Sequence, residues 1–216
     1  MHRLPLVPSR GYRFKVLCLG AHSDDIEIGC GGTVLQLIRH HPNTEFYWVV
    51  FSSDRERERE ARKSVGLFLK GGKRYTVLVK HFRESFFPYV GTKIKDFFEE
   101  LKGFSPDLIF THYRFDLHQD HRIINELTWN TFRSHLIWEY EIPKYDGDLG
   151  SPNCFVPLDP ETCEKKVKYI TEVFKTQSAK HWLTPDTFKA IMRLRGVESN
   201  APDQFAEAFY CRKIVF

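Results

Sequence analysis

Hydrophobic and polar positions along the chain fall into short apolar runs separated by amphipathic stretches. Phe14-Lys15-Val16-Leu17-Cys18-Leu19, mostly apolar and closed by Gly20, has the pattern of a strand buried on both faces. From Gly31 to His41, the residues Val34, Leu35, Leu37 and Ile38 mark one face of a helix. Phe46–Phe51 predicts a second strand, Arg55–Leu69 a charged helix, and Tyr75–Val79 a third strand. Ile94, Phe97, Phe98 and Leu101 recur at helical spacing before Gly103 and Pro106, and Leu108-Ile109-Phe110 predicts a fourth strand. Such alternation predicts an α/β fold with a mostly parallel sheet and helices on both faces. Ligands of such sheets sit beyond the carboxyl ends of the strands, so chemistry is expected on the loops after Leu19, Phe51, Val79 and Phe110.

After about Phe132 the alternation becomes irregular. The stretch from Ile142 to Asn153 is dense in turn residues. Asp159–Gln177 reads as a helix with Pro160 near its first turn, and Pro185–Arg195 as another ended by Gly196. No internal repeat or dividing linker is evident, so the expectation is one domain over residues 1–216. Its core would lie at about 12–132, and about 133–216 would shape the pocket.

Composition narrows the class. The 216 residues are 42% hydrophobic and 15% aromatic, with 19 Phe, which excludes a disordered chain. No apolar run approaches the ~20 residues of a membrane helix, and Met1–Arg13 lacks the apolar core of a secretory leader. The cysteines are Cys18, Cys30, Cys154, Cys163 and Cys211, scattered and without a C-x-x-C pair, so neither a zinc ribbon nor a disulfide framework is expected. Cytoplasm is the expected compartment. A net charge of +4, spread along the chain, gives no reason to expect nucleic acid as a partner.

The chemistry concentrates in two places. The first strand runs into Ala21-His22-Ser23-Asp24-Asp25-Ile26-Glu27, followed by Gly29-Cys30-Gly31-Gly32. The fourth runs into His118-Gln119-Asp120-His121. Adjacent carboxylates repel and resist burial, and a divalent cation relieves both problems. Two such clusters at equivalent strand ends can converge on one ion. His and carboxylate donors without thiolate suit catalytic zinc, and also iron, cobalt or nickel. The glycines lack G-x-G-x-x-G spacing, because Val34 holds the last position; a helix start free of Cβ atoms beside the loop explains them better.

These motifs resemble those of the PIG-L/LmbE-like zinc-dependent de-N-acetylases, A-H-P-D-D-(x)-E and H-x-D-H, in the same order. Ser23 replaces the usual Pro, which supplies no ligand. A weaker likeness lies in Arg195-Gly196 followed by Ala206-Glu207-Ala208-Phe209. The resemblance implies a single Rossmann-like domain and a zinc ion held by His22, Asp25 and His121. It further implies Asp24 as general base, His118 as the acid that protonates the leaving amine, and Asp120 as the residue that orients His118 and raises its pKa. The reaction implied is removal of acetyl from an N-acetylated amino sugar, free, nucleotide-linked or glycan- or lipid-linked, by a chain that could form a homo-oligomer. Alternatives are a metal hydrolase of another amide, ester or phosphodiester, or a binding module with a relic metal site.

Substrate contacts are expected from Arg57, Arg114, Lys144, Tyr145 and Asp146. Arg57 lies in the alternating run Asp54–Glu60, which otherwise reads as a solvated face. Arg114 precedes the second motif, and Lys144, Tyr145 and Asp146 sit where the 142–153 loop could cap the site. Asp116 and Leu117 offer no evident group to polarise a carbonyl.

Overall fold

The first apolar run forms β1, Lys15–Gly20. Its side chains alternate between two cores, Val16 and Cys18 in one, Leu17 and Leu19 in the other. There follow α1 (Asp25–His40), β2 (Glu45–Val50), α2 (Arg55–Phe68), β3 (Arg74–Val79), α3 (Gly91–Leu101) and β4 (Leu108–His112). The remainder comprises α4 (Gln119–Thr131), β5 (Leu136–Tyr140), β6 (Cys154–Leu158), α5 (Pro160–Val173), α6 (Pro185–Glu198) and β7 (Phe205–Cys211). This computed structural model describes residues 12–215. The expectation about a leader in Met1–Arg13 therefore falls almost wholly outside the described residues.

The strands form one seven-stranded sheet in the order β3-β2-β1-β4-β5-β7-β6. All pairings from β3 to β5 are parallel, and β7 runs antiparallel to both of its neighbours. Side chains of α1, α2, α5 and α6 fill the core on one face, and those of α3 and α4 the other. The fold is thus α/β, mostly parallel, with helices on both faces. From β1 the chain steps outward to β2 and β3, then returns to β4 on the far side of β1. That reversal leaves a crevice beyond the carboxyl ends of β1 and β4, where the two motifs emerge. Among the described residues no helix is long and apolar enough to cross a membrane.

Three expectations need correction. α1 begins at Asp25 rather than near Gly31, so the acidic motif is its first turn, with Asp25 and Glu27 at the positive end of the helix. The glycines do not mark a bare helix start. A Cβ on Gly29 would lie 2.2 Å from the Tyr140 ring, one on Gly31 2.5 Å from Phe68, and one on Gly32 2.6 Å from Leu158. They let the helix seat closely against three neighbours. Gly196 does not end its helix either, since α6 continues to Glu198. A Cβ there would lie 2.1 Å from the Gln204 carbonyl oxygen, so glycine admits the backbone that leads into β7.

The irregular stretch after Phe132 contains β5, β6 and β7. β6 and β7 pair with each other but are separated in sequence by α5 and α6. The expected helix to Gln177 ends as α5 at Val173, followed by a 3-10 turn, Lys175–Gln177. Side chains cap four helices at the N-terminus: Asp54 accepts from Glu56 and Arg57, His118 from Asp120, Asp159 from Thr162, and Thr184 from Thr187.

Candidate metal centre

The loop after β1 is stitched to its surroundings through the backbone. Phe51 and Ser52 donate their N–H groups to Gly20 and Ala21, while Ala21 donates to His112 Nε2 at 2.9 Å. His22 donates its backbone N–H to Asp25 Oδ2 at 2.6 Å, which turns the loop tightly into α1. Consecutive residues then point apart. Asp25 faces the histidines, while Asp24 Oδ1 lies 3.8 Å from the Arg57 guanidinium, and Asp24 Oδ2 is buried without a hydrogen-bond partner.

The loop after β4 is built as tightly. Asp116 Oδ1 accepts the His118 N–H at 2.8 Å, and Arg114 donates its backbone N–H to the fully buried Glu139 at 2.9 Å. His118 caps α4, its Nδ1 accepting the Asp120 N–H at 3.2 Å. One turn on, His121 Nδ1 donates to Asp116 Oδ2 at 2.9 Å, leaving its Nε2 turned toward His22.

His22 Nδ1 and His121 Nε2 lie 3.2 Å apart. Asp25 places Oδ2 3.4 Å from the former and Oδ1 3.6 Å from the latter. A tetrahedral ion with donors at about 2.0–2.1 Å spaces them by roughly 3.3–3.4 Å. The His22–His121 spacing suits one such ion, and Asp25 approaches each of the two rings through a different oxygen. Two overlapping groups have donor atoms within 4.8 Å of one another, His22/His118/His121 and Asp25/His112/His121. The charges agree with the geometry. Buried Asp24, Asp25, Asp116 and Asp120 crowd the site, while Arg57 is shared with Glu84 and Lys144 with Asp148, so a bound cation would offset negative charge there.

Several ionisable groups of the site are displaced for a visible reason. Burial opposes charge on His22, but Asp25 and Asp120 beside it prevail and push its ring up to about 10. Burial and the stacked His112 ring push His121 down to about 3. Burial, with the Asp25 charge adjacent, raises Asp24. Asp25 is held well below the carboxylate range because His121, His112 and His22 together outweigh its burial. Asp116 is also lowered, its bond to His121 overcoming its own burial.

One expected pairing is not what the chain adopts. Asp120 does not turn its carboxylate to His118. Instead it accepts the Ser85 N–H at 2.7 Å, the Phe87 N–H at 3.2 Å and His22 Nε2–H at 3.3 Å. The reason is position, since Asp120 lies in the first turn of α4, with its side chain packed toward the β3–α3 connection and the β1 loop. Burial and the neighbouring His22 also push His118 below its ordinary value, against the pull of Asp120. Asp120 thus pulls His118 in the expected direction, but burial and His22 outweigh it.

The expected substrate residues are dispersed. Arg57 is buried and bridges Asp24 to Glu84, its bond to Glu84 being 2.7 Å. Arg114 carries its guanidinium 5.0 Å from the centroid of the exposed Phe115 ring, not in the donor cluster. Tyr145 and Asp146 project from the 142–153 loop into solvent. Lys144 points the other way and contacts Asp116 at 3.0 Å. Two residues of the site escaped sequence reasoning. His112 is the last residue of β4 and has no cluster around it in sequence, and Asp116 was weighed only as a carbonyl-polarising donor. The positions of both, at the end of a central parallel strand and within the loop that follows it, were the available signal.

A mostly parallel α/β sheet with a His/Asp donor cluster at its switch point defines the class. Residues 17–132 match the family described as PIG-L, GlcNAc-PI de-N-acetylase, and the chain belongs to that family. No curated protein matches it in sequence. Among solved structures, N,N'-diacetylchitobiose deacetylase from Pyrococcus horikoshii, complexed with its inhibitor MPG, is 22% identical at a TM-score of 0.70, over 91% of this chain and 83% of that one. The zinc inhibited form of teicoplanin deacetylase Orf2 is 12% identical at a TM-score of 0.69, over 91% and 97%. GalB, the 4-carboxy-2-hydroxymuconate hydratase from Pseudomonas putida KT2440, is 13% identical at 0.70, over 94% and 98%. At these identities the shared property is the fold, and the hydratase shows that this fold serves more than one reaction.

Proposed function

We propose that this chain is a metal-dependent de-N-acetylase that hydrolyses the acetamide of an amino sugar, free or within a nucleotide-linked, glycan or lipid-linked molecule. The observation that carries the reading is the approach of His22 Nδ1 and His121 Nε2 to 3.2 Å, with Asp25 oxygens 3.4 and 3.6 Å from them, within the family's matched segment. Those three residues would hold zinc or another divalent transition metal. Such an ion supplies Lewis acidity, polarising the amide carbonyl and lowering the pKa of water from about 15.7 toward ~7.

The protein's own groups do the rest. Asp24, raised by burial and by Asp25, is the base that takes a proton as the water oxygen bonds to the carbonyl carbon. When the carbon–nitrogen bond breaks, the same carboxyl returns that proton to the amine, giving acetate and a free amino sugar. Arg57, fixed by Glu84, holds Asp24 in place. His118 accepts a backbone N–H at Nδ1, so its neutral ring carries the proton on Nε2. Charging that ring would set two donors against each other at Nδ1. We therefore assign His118 as a hydrogen-bond donor to the carbonyl oxygen rather than as the acid.

Asp120 and Asp116 fix the tautomers of His22 and His121 from the far nitrogens. Tyr145 and Asp146, exposed on the loop that carries Lys144, would read sugar hydroxyls. The five free thiols suit a reducing compartment, and we assign the chain to the cytosol.

The test is acetate release from a panel of N-acetylated sugars, nucleotide sugars and glycolipids, with phosphodiesters and unsaturated acids run beside them. Activity confined to the N-acetyl substrates, lost on chelation and restored by zinc or cobalt, is expected. Turnover of only the phosphodiesters or the unsaturated acids, or full activity without metal, would sink the proposal.

A further inference from the structure

We infer that Lys144 is a positioning residue of the metal centre, acting through Asp116 on His121, and that it latches the 142–153 loop to that centre. The inference rests on the metal site proposed above and adds a residue to it.

Lys144 stands in a turn-rich loop where a lysine would ordinarily extend into water. Its side chain is only 8% exposed, whereas its neighbour Tyr145 is 72% exposed. Its ammonium lies 3.0 Å from Asp116 Oδ2, the same oxygen that accepts from His121 Nδ1 at 2.9 Å. It also bonds Asp148, whose Oδ2 accepts the Leu117 N–H at 2.7 Å. One ammonium thus joins three parts of the site: the loop after β4, the His121 ring on α4, and its own loop.

A carboxylate oxygen that accepts from both a ring N–H and an ammonium is held against rotation. In that orientation it keeps the proton of His121 on Nδ1 and the lone pair of Nε2 toward the ion. Without the ammonium, Asp116 would keep the His118 N–H on Oδ1 and the His121 ring on Oδ2 but lose the cation that balances its buried charge, and its hold on the ring would weaken. The far end of the loop is anchored independently. Gly150 donates its N–H to the Tyr210 hydroxyl at 3.0 Å and accepts from Arg195 at 3.1 Å. Loss of Lys144 would therefore release one point of the loop and leave the other in place.

The experiment compares wild type, Lys144→Met, Lys144→Arg and Asp148→Asn, with His121→Ala as control, by titrating metal-stripped full-length protein with cobalt(II). The ligand-field spectrum and the dissociation constant are read, with thermal denaturation of each metal-free variant beside them. Removal of a group that orients a ligand costs roughly 10–100-fold in metal affinity. Lys144→Met is expected to lose affinity in that range with an altered spectrum, and Lys144→Arg to recover most of it. Asp148→Asn should have a smaller effect, because the contact between Lys144 and Asp116 survives. Lys144→Met affinity within twofold of wild type, or failure of the arginine variant to rescue while both fold as wild type does, would overturn the inference. Wild type that takes up no cobalt would instead overturn the metal centre, and this inference with it.

Discussion

Replacing Asp24 with Asn should slow the enzyme and stabilise the protein at once. Asp24 is 3% exposed, its Oδ2 has no hydrogen-bond partner, and its neighbour in sequence is a second buried carboxylate. A buried polar atom left unpaired costs about 1–3 kcal/mol, and more when charged. Arg57 recovers part of this at 3.8 Å, yet burial still raises the pKa of Asp24 above its usual value of 3.8. Folding therefore works against the charge. Asn keeps the shape and removes both the charge and its repulsion with Asp25, while Arg57 retains Glu84 at 2.7 Å.

A gain of about 1 kcal/mol corresponds to roughly 2–4 °C in a chain of this size. The sign fixes its pH dependence. A carboxyl whose folded pKa is raised weakens the fold as pH climbs from 3.8 through the raised value. The advantage of Asp24→Asn in metal-free protein should thus be near zero at pH 3.5, grow through that window, and then level off. Turnover should drop by about 10²–10⁴-fold, the range for loss of a general base, with one metal per chain retained. Calorimetry of the metal-free pair across pH, beside acetate release by the metal-loaded pair, makes the measurement. A variant that melts lower at neutral pH would show that the Asp24 charge supports the fold, and an undiminished rate would remove it as the base.

His118→Gln, which keeps a side-chain donor but cannot carry a proton, should retain more turnover than His118→Ala; equal and near-complete loss in both would restore the acid role. Tyr145→Ala and Asp146→Ala should raise KM for a sugar substrate while leaving cobalt affinity unchanged, and an unaltered KM in both would detach the loop tip from substrate. Gly196→Ala should lower the melting temperature by an amount matching about 1–3 kcal/mol, because its Cβ would lie 2.1 Å from the Gln204 carbonyl oxygen; a neutral result would mean that the chain entering β7 yields easily. Asp159, pulled from 3.8 to about 2 despite its burial by Arg39 and the capping bonds to Thr162, contributes stability above pH 3.8 that fades as pH falls toward 2. Asp159→Ala should cost about 1 kcal/mol at pH 7 and far less at pH 2, and an equal loss at both would refute the charge-dependent cap.

Much of the first half of the fold was legible because parallel strands buried on both faces leave dense apolar runs. β1 to β4 each lie within a residue or two of their expected limits. β6 and β7 were not legible: they pair antiparallel across the excursion of α5 and α6, and Pro157 inside β6 hides its strand character. The site divides in the same way. His22, Asp25 and His121 announce themselves by clustering, and the chain brings them together. His112 carries no local signal, because its neighbours in the site come from other strands and loops. Asp120 was visible as a residue but not as a partner, since sequence adjacency suggested His118 and the turn of α4 chose His22. Lys144 looked like a surface cation, and only the fold shows it turned inward.

The glycines of α1 bear on the chemistry although none of them touches it. Gly29, Gly31 and Gly32 set how deeply that helix sinks against Tyr140, Phe68 and Leu158, and Asp25 is its leading residue. The helix acts as a spindle whose depth is gauged by three missing methyl groups, with the proposed metal ligand and the proposed base carried at its tip. A single methyl added well behind the site would push the spindle outward and take Asp24 and Asp25 with it. The register of the reaction is therefore kept in part by atoms that the sequence leaves out.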